Sequence, residues 1–340
     1  MRLRAFLFAA AALLSTAASA RAAGEHTFQR MDRHIVAYRV GATLRLPGYS
    51  DLRAVALGSA GQVAGDAARD DGRRCVLATG SKLVDITPAG WPTCNVAAMT
   101  PSGTIVGTVR SPEGSQGFVY RANRAYVIGS AASFEAVNER ALVIGTKQDG
   151  SSGVYDAAAG VWLHVVDRAT TCEMELPLAL NDREILGIDT CTGAPRFELA
   201  SGGRFVQVHV PPNLFPGKIL TATDELVLYD PSANGRVFWW APLSGKAPVD
   251  LGEAASDAFG GYVPLAANAN GVVIGQNPNQ FLSWVWTARD GMRALESLVE
   301  PKTYFDLSVR AVGDDGRILA QGFDFATGDQ VWLTLDPTFI

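Results

Sequence analysis

Four cysteines are the first residues whose spacing invites chemistry. Cys75 and Cys94 stand nineteen positions apart, and so do Cys172 and Cys191. In an oxidising compartment four cysteines can close two bridges. Spacing alone leaves the connectivity open, and the local pairs Cys75–Cys94 and Cys172–Cys191 are favoured over the crossed ones. A zinc site would want close Cys/His pairs, whereas His26, His34, His164 and His209 all lie away from the cysteines. No metal site and no cofactor is therefore expected. Acids recur as well: Asp70, Asp71, Glu113, Asp149, Asp189 and Asp230. A pair at a suitable separation could hydrolyse a glycoside, and a cluster could hold calcium. Their Asp-Gly, Pro-Ser and Asn-Gly companions mark them instead as turn residues. The chain carries no calcium-loop pattern, phosphate-cradling glycine motif or nucleophile elbow, and four histidines leave a His-dependent triad few candidates. An enzyme that draws one residue from each of several repeats would escape such motifs.

The elements that must position these residues are repeats. A glycine turn followed by a strand recurs as Gly61-Gln62-Val63-Ala64-Gly65, Gly103-Thr104-Ile105-Val106-Gly107, Ala141-Leu142-Val143-Ile144-Gly145, Arg183-Glu184-Ile185-Leu186-Gly187, Glu225-Leu226-Val227-Leu228-Tyr229, Gly271-Val272-Val273-Ile274-Gly275 and Gly316-Arg317-Ile318-Leu319-Ala320. The third position is always Val or Ile, and successive copies are offset by 38 to 46 residues. Before each turn lies a short strand of small residues (54–57, 96–99, 178–180, 265–267, 309–312). After a polar loop comes an aromatic-rich strand (117–120, 237–240, 283–286, 330–333), and a fourth apolar strand follows (125–128, 161–166, 205–210, 249–251). Four strands per repeat of this length are the signature of a propeller blade. The expected fold is an all-β propeller of seven four-stranded blades. The last copy lacks an outer strand, and His34–Arg39 with Thr43–Leu46, which resemble a third and a fourth strand, are expected to complete it and remove the open sheet edge. Trp162, Trp239, Trp284, Trp286 and Trp332 fall on strands and are expected in the core.

Composition agrees with a globular chain. Of 340 residues, 48% are hydrophobic and 19% charged, with 29 basic residues scattered among 34 acidic ones. No basic stripe offers itself to phosphates, so nucleic acid is not an expected partner. Met1-Arg2-Leu3-Arg4, the apolar run to Leu14 and the small residues at Ala18-Ser19-Ala20 or Ala20-Arg21-Ala22 have the grammar of a Sec-type secretory signal peptide. The expected organisation is a leader over 1–22 and a single domain over 23–340. A bacterial periplasmic or extracellular monomer with no membrane span after cleavage is expected.

The repeat resembles the HAF repeats of bacterial extracellular proteins: a small-residue strand, an Asn-x-x-Gly turn, an Ile/Val-Val-Gly strand and an aromatic strand. Asn268-Ala269-Asn270-Gly271-Val272-Val273-Ile274-Gly275 carries the likeness, as do Ser102–Gly107 with Gly117-Phe118-Val119-Tyr120. The His-Ala-Phe tripeptide itself is absent, and the fifth copy has neither glycine. The resemblance, over about residues 50 to 335, implies a secreted β-rich repeat protein and transfers no catalytic residue.

In such a fold the second-to-third-strand loops and the blade-to-blade connections emerge on one face, to which all four cysteines map. Connections there carry Tyr49, Trp91, Phe215, Phe259, Tyr262, Tyr304 and Phe305, an aromatic set suited to stacking on sugar rings or anchoring a protein. The acidic turn Gly313-Asp314-Asp315-Gly316 falls on the opposite face. The function expected is a non-catalytic binding scaffold for a protein or glycan. The alternatives are a carbohydrate-active hydrolase or lyase with its site at the axial end of the cysteine-bearing face, and an envelope assembly factor.

Overall fold

The computed structural model describes residues 34–80, 82–189, 191, 196–212, 214–221, 225–230, 236–244, 246–252, 263–277 and 282–339. The expected leader, Phe259 and Tyr262 lie outside them. Strand β1 (Ile35–Leu44) precedes unit 1, which is β2 (Ser50–Leu57), β3 (Val63–Arg69), β4 (Gly72–Thr79) and β5 (Lys82–Asp85). Unit 2 is β6 (Thr93–Met99), β7 (Ile105–Ser111), β8 (Gly114–Arg121) and β9 (Arg124–Ile128). Unit 3 is β10 (Ala131–Val137), β11 (Leu142–Lys147), β12 (Ser152–Asp156) and β13 (Val161–Leu163). Unit 4 is β14 (Leu176–Leu180), β15 (Glu184–Asp189), β16 (Arg196–Ser201) and β17 (Arg204–Gln207). Unit 5 is β18 (Phe215–Leu220), β19 (Leu226–Asp230), β20 (Arg236–Trp240) and β21 (Val249–Asp250). Unit 6 is β22 (Val263–Ala267), β23 (Val273–Asn277), β24 (Leu282–Thr287) and β25 (Gly291–Ala294). After the short β26 (Val299–Glu300), unit 7 is β27 (Tyr304–Val312), β28 (Ile318–Asp324) and β29 (Gln330–Phe339).

Each unit is an antiparallel meander in chain order. In unit 7 the outer position is taken by β1, paired antiparallel to β29 from Ile35↔Phe339 to Leu44↔Trp332, with β26 added in parallel beyond it. The segment read as two strands is thus one, because Gly41 sits at a register shift between Val40 and Ala42 rather than in a turn. First strands also begin earlier than their small residues suggested, and the fourth strands of units 3 and 4 stop at Leu163 and Gln207. The first strands touch in succession, β2 to β6, β10, β14, β18, β22 and β27, and β27 touches β2.

The core lies in seams between neighbouring units rather than in one central mass. Ala64 and Cys75 of unit 1 pack with Val96, Ile105 and Phe118 of unit 2; Val227 and Trp239 of unit 5 pack with Val273 and Trp284 of unit 6. Leu319 and Trp332 of unit 7 pack with Leu52, Val63 and Val76 of unit 1. A second strand therefore buries both faces: Val63, Ile105, Val143, Val227, Val273 and Ile318 are fully buried, and so are Ala64, Val106, Leu186, Leu228, Ile274 and Leu319 from the neighbouring position. This is why the repeat reads as an apolar run and not as a strict alternation.

The glycine that ends the repeat has a steric origin. In units 1, 2, 3, 4, 6 and 7 the first strand carries a bulge, at Ala54/Ala56, Val96/Ala98, Phe134/Ala136, Pro177/Ala179, Pro264/Ala266 and Val309/Ala311. In the first five of these the residue that opens the bulge faces Gly65, Gly107, Gly145, Gly187 or Gly275. A Cβ on Gly107 would meet the Asn95 carbonyl and lie 2.7 Å from the Phe118 ring; on Gly145 it would lie 2.5 Å from the Ser133 carbonyl. In unit 5 Tyr229 holds this position, and there the irregularity moves and widens, to between Pro216 and Leu220.

Gly107→Ala is expected to destabilise the protein by about 2 kcal/mol or more, since the added methyl presses on backbone that cannot yield. Gly129→Ala, with open space around the added atom, should stay within about 0.5 kcal/mol of the parent. Urea unfolding of both variants checks the contrast.

Candidate functional site

The turns that join first to second strands converge on a funnel. Its cavity is about 530 Å³, within the roughly 300–1,000 Å³ common for ligand sites. Every unit contributes to it, and the floor is apolar and mostly small: Ala56, Val137, Leu180, Leu220, Ala267 and Ala311. The rim carries the exposed acids Glu139, Asp182, Asp314 and Asp315, with Arg317 as the cation among its lining residues.

Local chemistry explains why these turns hold their shape. The Asn138 side chain accepts the Leu142 N–H at 2.9 Å and donates to the Asn181 carbonyl of the next unit at 2.7 Å. Asn181 accepts from Glu184 N–H and donates to the Thr221 carbonyl, both at 2.8 Å. Asn268 accepts from Val272 N–H at 2.9 Å and donates to the Gly313 carbonyl at 2.7 Å. One asparagine thus closes its own turn and ties it to the following one, a use open to Asn because it is both donor and acceptor. Ser59 N–H to the Pro101 carbonyl at 2.9 Å, Ser102 N–H to Glu139 at 2.8 Å and Glu139 N–H to Asp182 at 2.8 Å extend the same stitching. The rim is consequently set before any ligand arrives.

On the opposite face the cysteines pair as Cys75–Cys94 and Cys172–Cys191, with Cα separations of 5.3 and 5.9 Å. The first bridge crosses the seam from β4 to β6, buried among the apolar residues of units 1 and 2. Cys172 lies four residues before β14. Asp189 comes close to Cys172 and Cys191, but both sulfurs are already joined to each other and offer no thiolate for a metal.

Asp189 is nonetheless unlike the other loop acids. Arg74 hydrogen-bonds Asp71 and holds its carboxyl below the usual range, and the Ser151 hydroxyl and N–H do the same for Asp149; these are ordinary turn residues. Asp189 is 2% exposed and faces Glu198 on β16. Burial, a shared hydrogen bond and the neighbouring Asp189 charge push the Glu198 carboxyl up to about 7. Among the described residues Asp189 Oδ2 and Glu198 Oε2 are both buried without a hydrogen-bond partner, and a proton held on Glu198 beside Asp189 would serve both. Glu198 had no sequence signal of its own, because it meets Asp189 diagonally across two strands.

The expected aromatic set does not gather into one platform among the described residues. Tyr49 packs on the unit 7–unit 1 seam with the Arg69 guanidinium 5.6 Å from its ring centroid. Trp91 lies against the unit 1–unit 2 seam, and its carbonyl accepts from Arg74 at 3.3 Å. The Tyr304 hydroxyl bonds Thr43 at 2.7 Å, and Phe305 stacks on Phe323 at 5.5 Å and meets the exposed Phe325 at 4.7 Å. Phe215 opens β18. The strand tryptophans Trp239, Trp284, Trp286 and Trp332 are buried, and Trp162 packs beside Phe134 and Tyr155. His34 pairs with Asp290 and His164 with Glu173 on separate units. Among the described residues no helix is long and apolar enough to cross a membrane.

No family model matches the sequence, and no curated protein matches it either. Solved structures do match. They include TolB from Acinetobacter baumannii, 12% identical with a TM-score of 0.40 over 82% of this chain; the alignment spans 66% of TolB, just under two thirds of its length. The Cps50 (Swd1) β-propeller domain of Myceliophteria thermophila is 12% identical with a TM-score of 0.48, over 86% of this chain and 98% of that one. An oligogalacturonate lyase of Vibrio parahaemolyticus is 8% identical with a TM-score of 0.53, over 89% and 98%. At such identities the likeness is one of fold, an all-β chain of propeller kind, and function has to be argued from the sites.

The carboxyl pair makes stability depend on pH with a definite sign. A carboxyl raised from 4.5 to about 7 on folding contributes its full stability below the unfolded value and loses it as pH rises through the folded one. The melting temperature is expected to fall between pH 5 and pH 8, and Glu198→Gln, which keeps a donor toward Asp189, should flatten that fall. Thermal unfolding of the parent and variant across this range checks it.

Proposed function

We propose that the chain is a secreted or periplasmic seven-bladed β-propeller of the HAF-repeat kind, with β1 as the outer strand of its last blade. It works as a non-catalytic scaffold that receives a segment of another protein in its funnel. The observation that carries this reading is the funnel itself: an apolar floor beneath an acidic rim whose turns are hydrogen-bonded to one another. A prearranged rim spares the ordering cost of binding. The apolar floor suits two or three aliphatic side chains, and Glu139, Asp182, Asp314 and Asp315 against Arg317 favour a segment flanked by Lys or Arg. None of the described lining residues is aromatic, which weighs against a glycan there, since sugars are gripped by stacking on rings. The two disulfides and the leader-like N-terminus support an extracytoplasmic site of action.

Labelled peptides of about twelve residues test the docking surface. A Leu/Lys peptide is expected to bind saturably in fluorescence anisotropy, and Leu/Glu or Ser/Lys peptides at least tenfold more weakly. Asp314→Lys should weaken the Leu/Lys peptide several-fold at low salt, with the gap narrowing as salt is added. Equal binding of the Leu/Glu peptide, or a variant indistinguishable from the parent, rejects the funnel as the docking site. Saturable binding of a neutral glycan that the same variant weakens would replace the protein partner by a sugar.

A further inference from the structure

A second cavity, of about 560 Å³, opens at the other end of the first strands, between units 6 and 7. Asp306, Ser308 and Arg310 of β27 line it, along a stretch where that strand's register against β28 shifts between Phe305 and Ser308 and again between Val309 and Ala311; Gln276 comes from β23, and Gln321 and Phe323 from β28. Several of its polar groups are partnered within the protein. Gln276 Nε2 donates to Ser308 Oγ at 2.5 Å, and Gln321 Oε1 accepts the Ala54 N–H at 3.4 Å.

Arg310 is different. Among the described residues its Nε is buried without a hydrogen-bond partner and no carboxylate pairs with its guanidinium. The charge that faces it is a like one, Arg53 from β2 of unit 1; burial first and Arg53 second pull the Arg310 pKa down. Arg53 has its own counterion in Asp66, 3.9 Å away, and a bond to the Val96 carbonyl at 3.5 Å. Asp306 lies four residues up the strand, on the exposed side. One guanidinium, which stays charged in proteins, is thus held half-buried in the wall of a cavity with no anion beside it among the described residues. Withdrawing a charge from water without a partner is costly, and an anion has room in the space that the guanidinium lines.

We propose that this cavity binds a small hydroxylated carboxylate, that is, a sugar acid. Its planar carboxylate takes the guanidinium fork of Arg310, and its hydroxyls meet the amide and hydroxyl groups of Gln276, Ser308 and Gln321. Asp306 accepts a hydroxyl at the mouth, and the apolar edge of the ligand rests against Phe323, which Phe305 braces at 5.5 Å. One unpaired cation with a carboxylate at the entrance selects a monoanion over a dianion, since the second charge would meet Asp306 without compensation.

Calorimetry and thermal shift with glucuronate, gluconate, glucose, acetate and inorganic phosphate test the assignment. Glucuronate or gluconate is expected to bind saturably and raise the melting temperature, with glucose, acetate and phosphate at least tenfold weaker. Arg310→Gln should abolish the shift while raising the melting temperature of the ligand-free protein, because it removes an unpaired, half-buried charge. Asp306→Ala, at an exposed position, gives a second reading: sugar-acid affinity should drop several-fold and phosphate affinity rise. Absence of sugar-acid binding at millimolar concentration overturns the proposal, as does phosphate binding equally well to the parent or unchanged binding in Arg310→Gln.

Discussion

In five units a backbone carbonyl of the first strand presses on the Cα of a glycine in the second, and the rest of the molecule follows from that contact. The close approach is possible because the first strand bulges there, and a bulge leaves an N–H outside its own sheet. A buried N–H must find a partner. Here the partners come from the adjoining unit: Gln321 Oε1 for Ala54, Asp66 Oδ2 for Val96 and Ser283 Oγ for Val309. The local distortion thereby becomes a bond between units. Beyond it the small residues Ala56, Ala266 and Ala311 line the funnel.

Burial of both faces of the second strands then decides how stability is distributed. No unit has a core of its own; each supplies half of two seams. Asp66 shows the cost of placing polar groups in such a seam. Burial pushes its carboxyl up against the pull of Arg73 and Arg53, and it is tolerated because Arg73, Arg53 and the Val96 N–H converge on it. The Cys75–Cys94 bridge spans the same seam, one strand further along, so units 1 and 2 are joined covalently, by hydrogen bonds from the unit 1 ion-pair network to the Val96 backbone and by apolar packing at once.

What could be read in the sequence is what recurs in each unit. Gly65, Gly107, Gly145, Gly187 and Gly275 recur because the same carbonyl recurs opposite them, and the Val/Ile position recurs because each second strand is enclosed by two neighbours. The asparagine turn was visible at Asn268 as part of a motif; that its amide reaches the next unit was not, since the partner is a backbone carbonyl with no residue preference. Contacts made only once leave no period. Gly41 resembled a turn because a bulge against Leu335 and Thr334 has no signature that a single sequence displays. Glu198 beside Asp189, and Arg310 beside Arg53, depend on a diagonal register and on units 7 and 1 lying side by side. For the aromatic residues of the connections loop position is the sole guide in the sequence. That Tyr49, Trp91, Tyr304 and Phe305 also have partners of their own close by is something spacing cannot reveal.

The two ends of the first strands differ in how completely the chain satisfies itself. At the turn end, backbone groups are spoken for by Asn, Ser and Thr side chains, and the rim acids mostly accept from neighbouring N–H groups. What that end offers is shape and a diffuse negative field, which on the proposed reading suits a partner with a large contact area and a modest demand for any one bond. At the opposite end the strands carry longer polar side chains, and the pairing of Gln276 with Ser308 and of Gln321 with Ala54 stops short of Arg310. An unanswered charge beside space is a specific demand, and a small ligand can meet it. On the proposed reading the two ends therefore differ in kind, with shape and a diffuse field at the turn end and a single charge beside open space at the other.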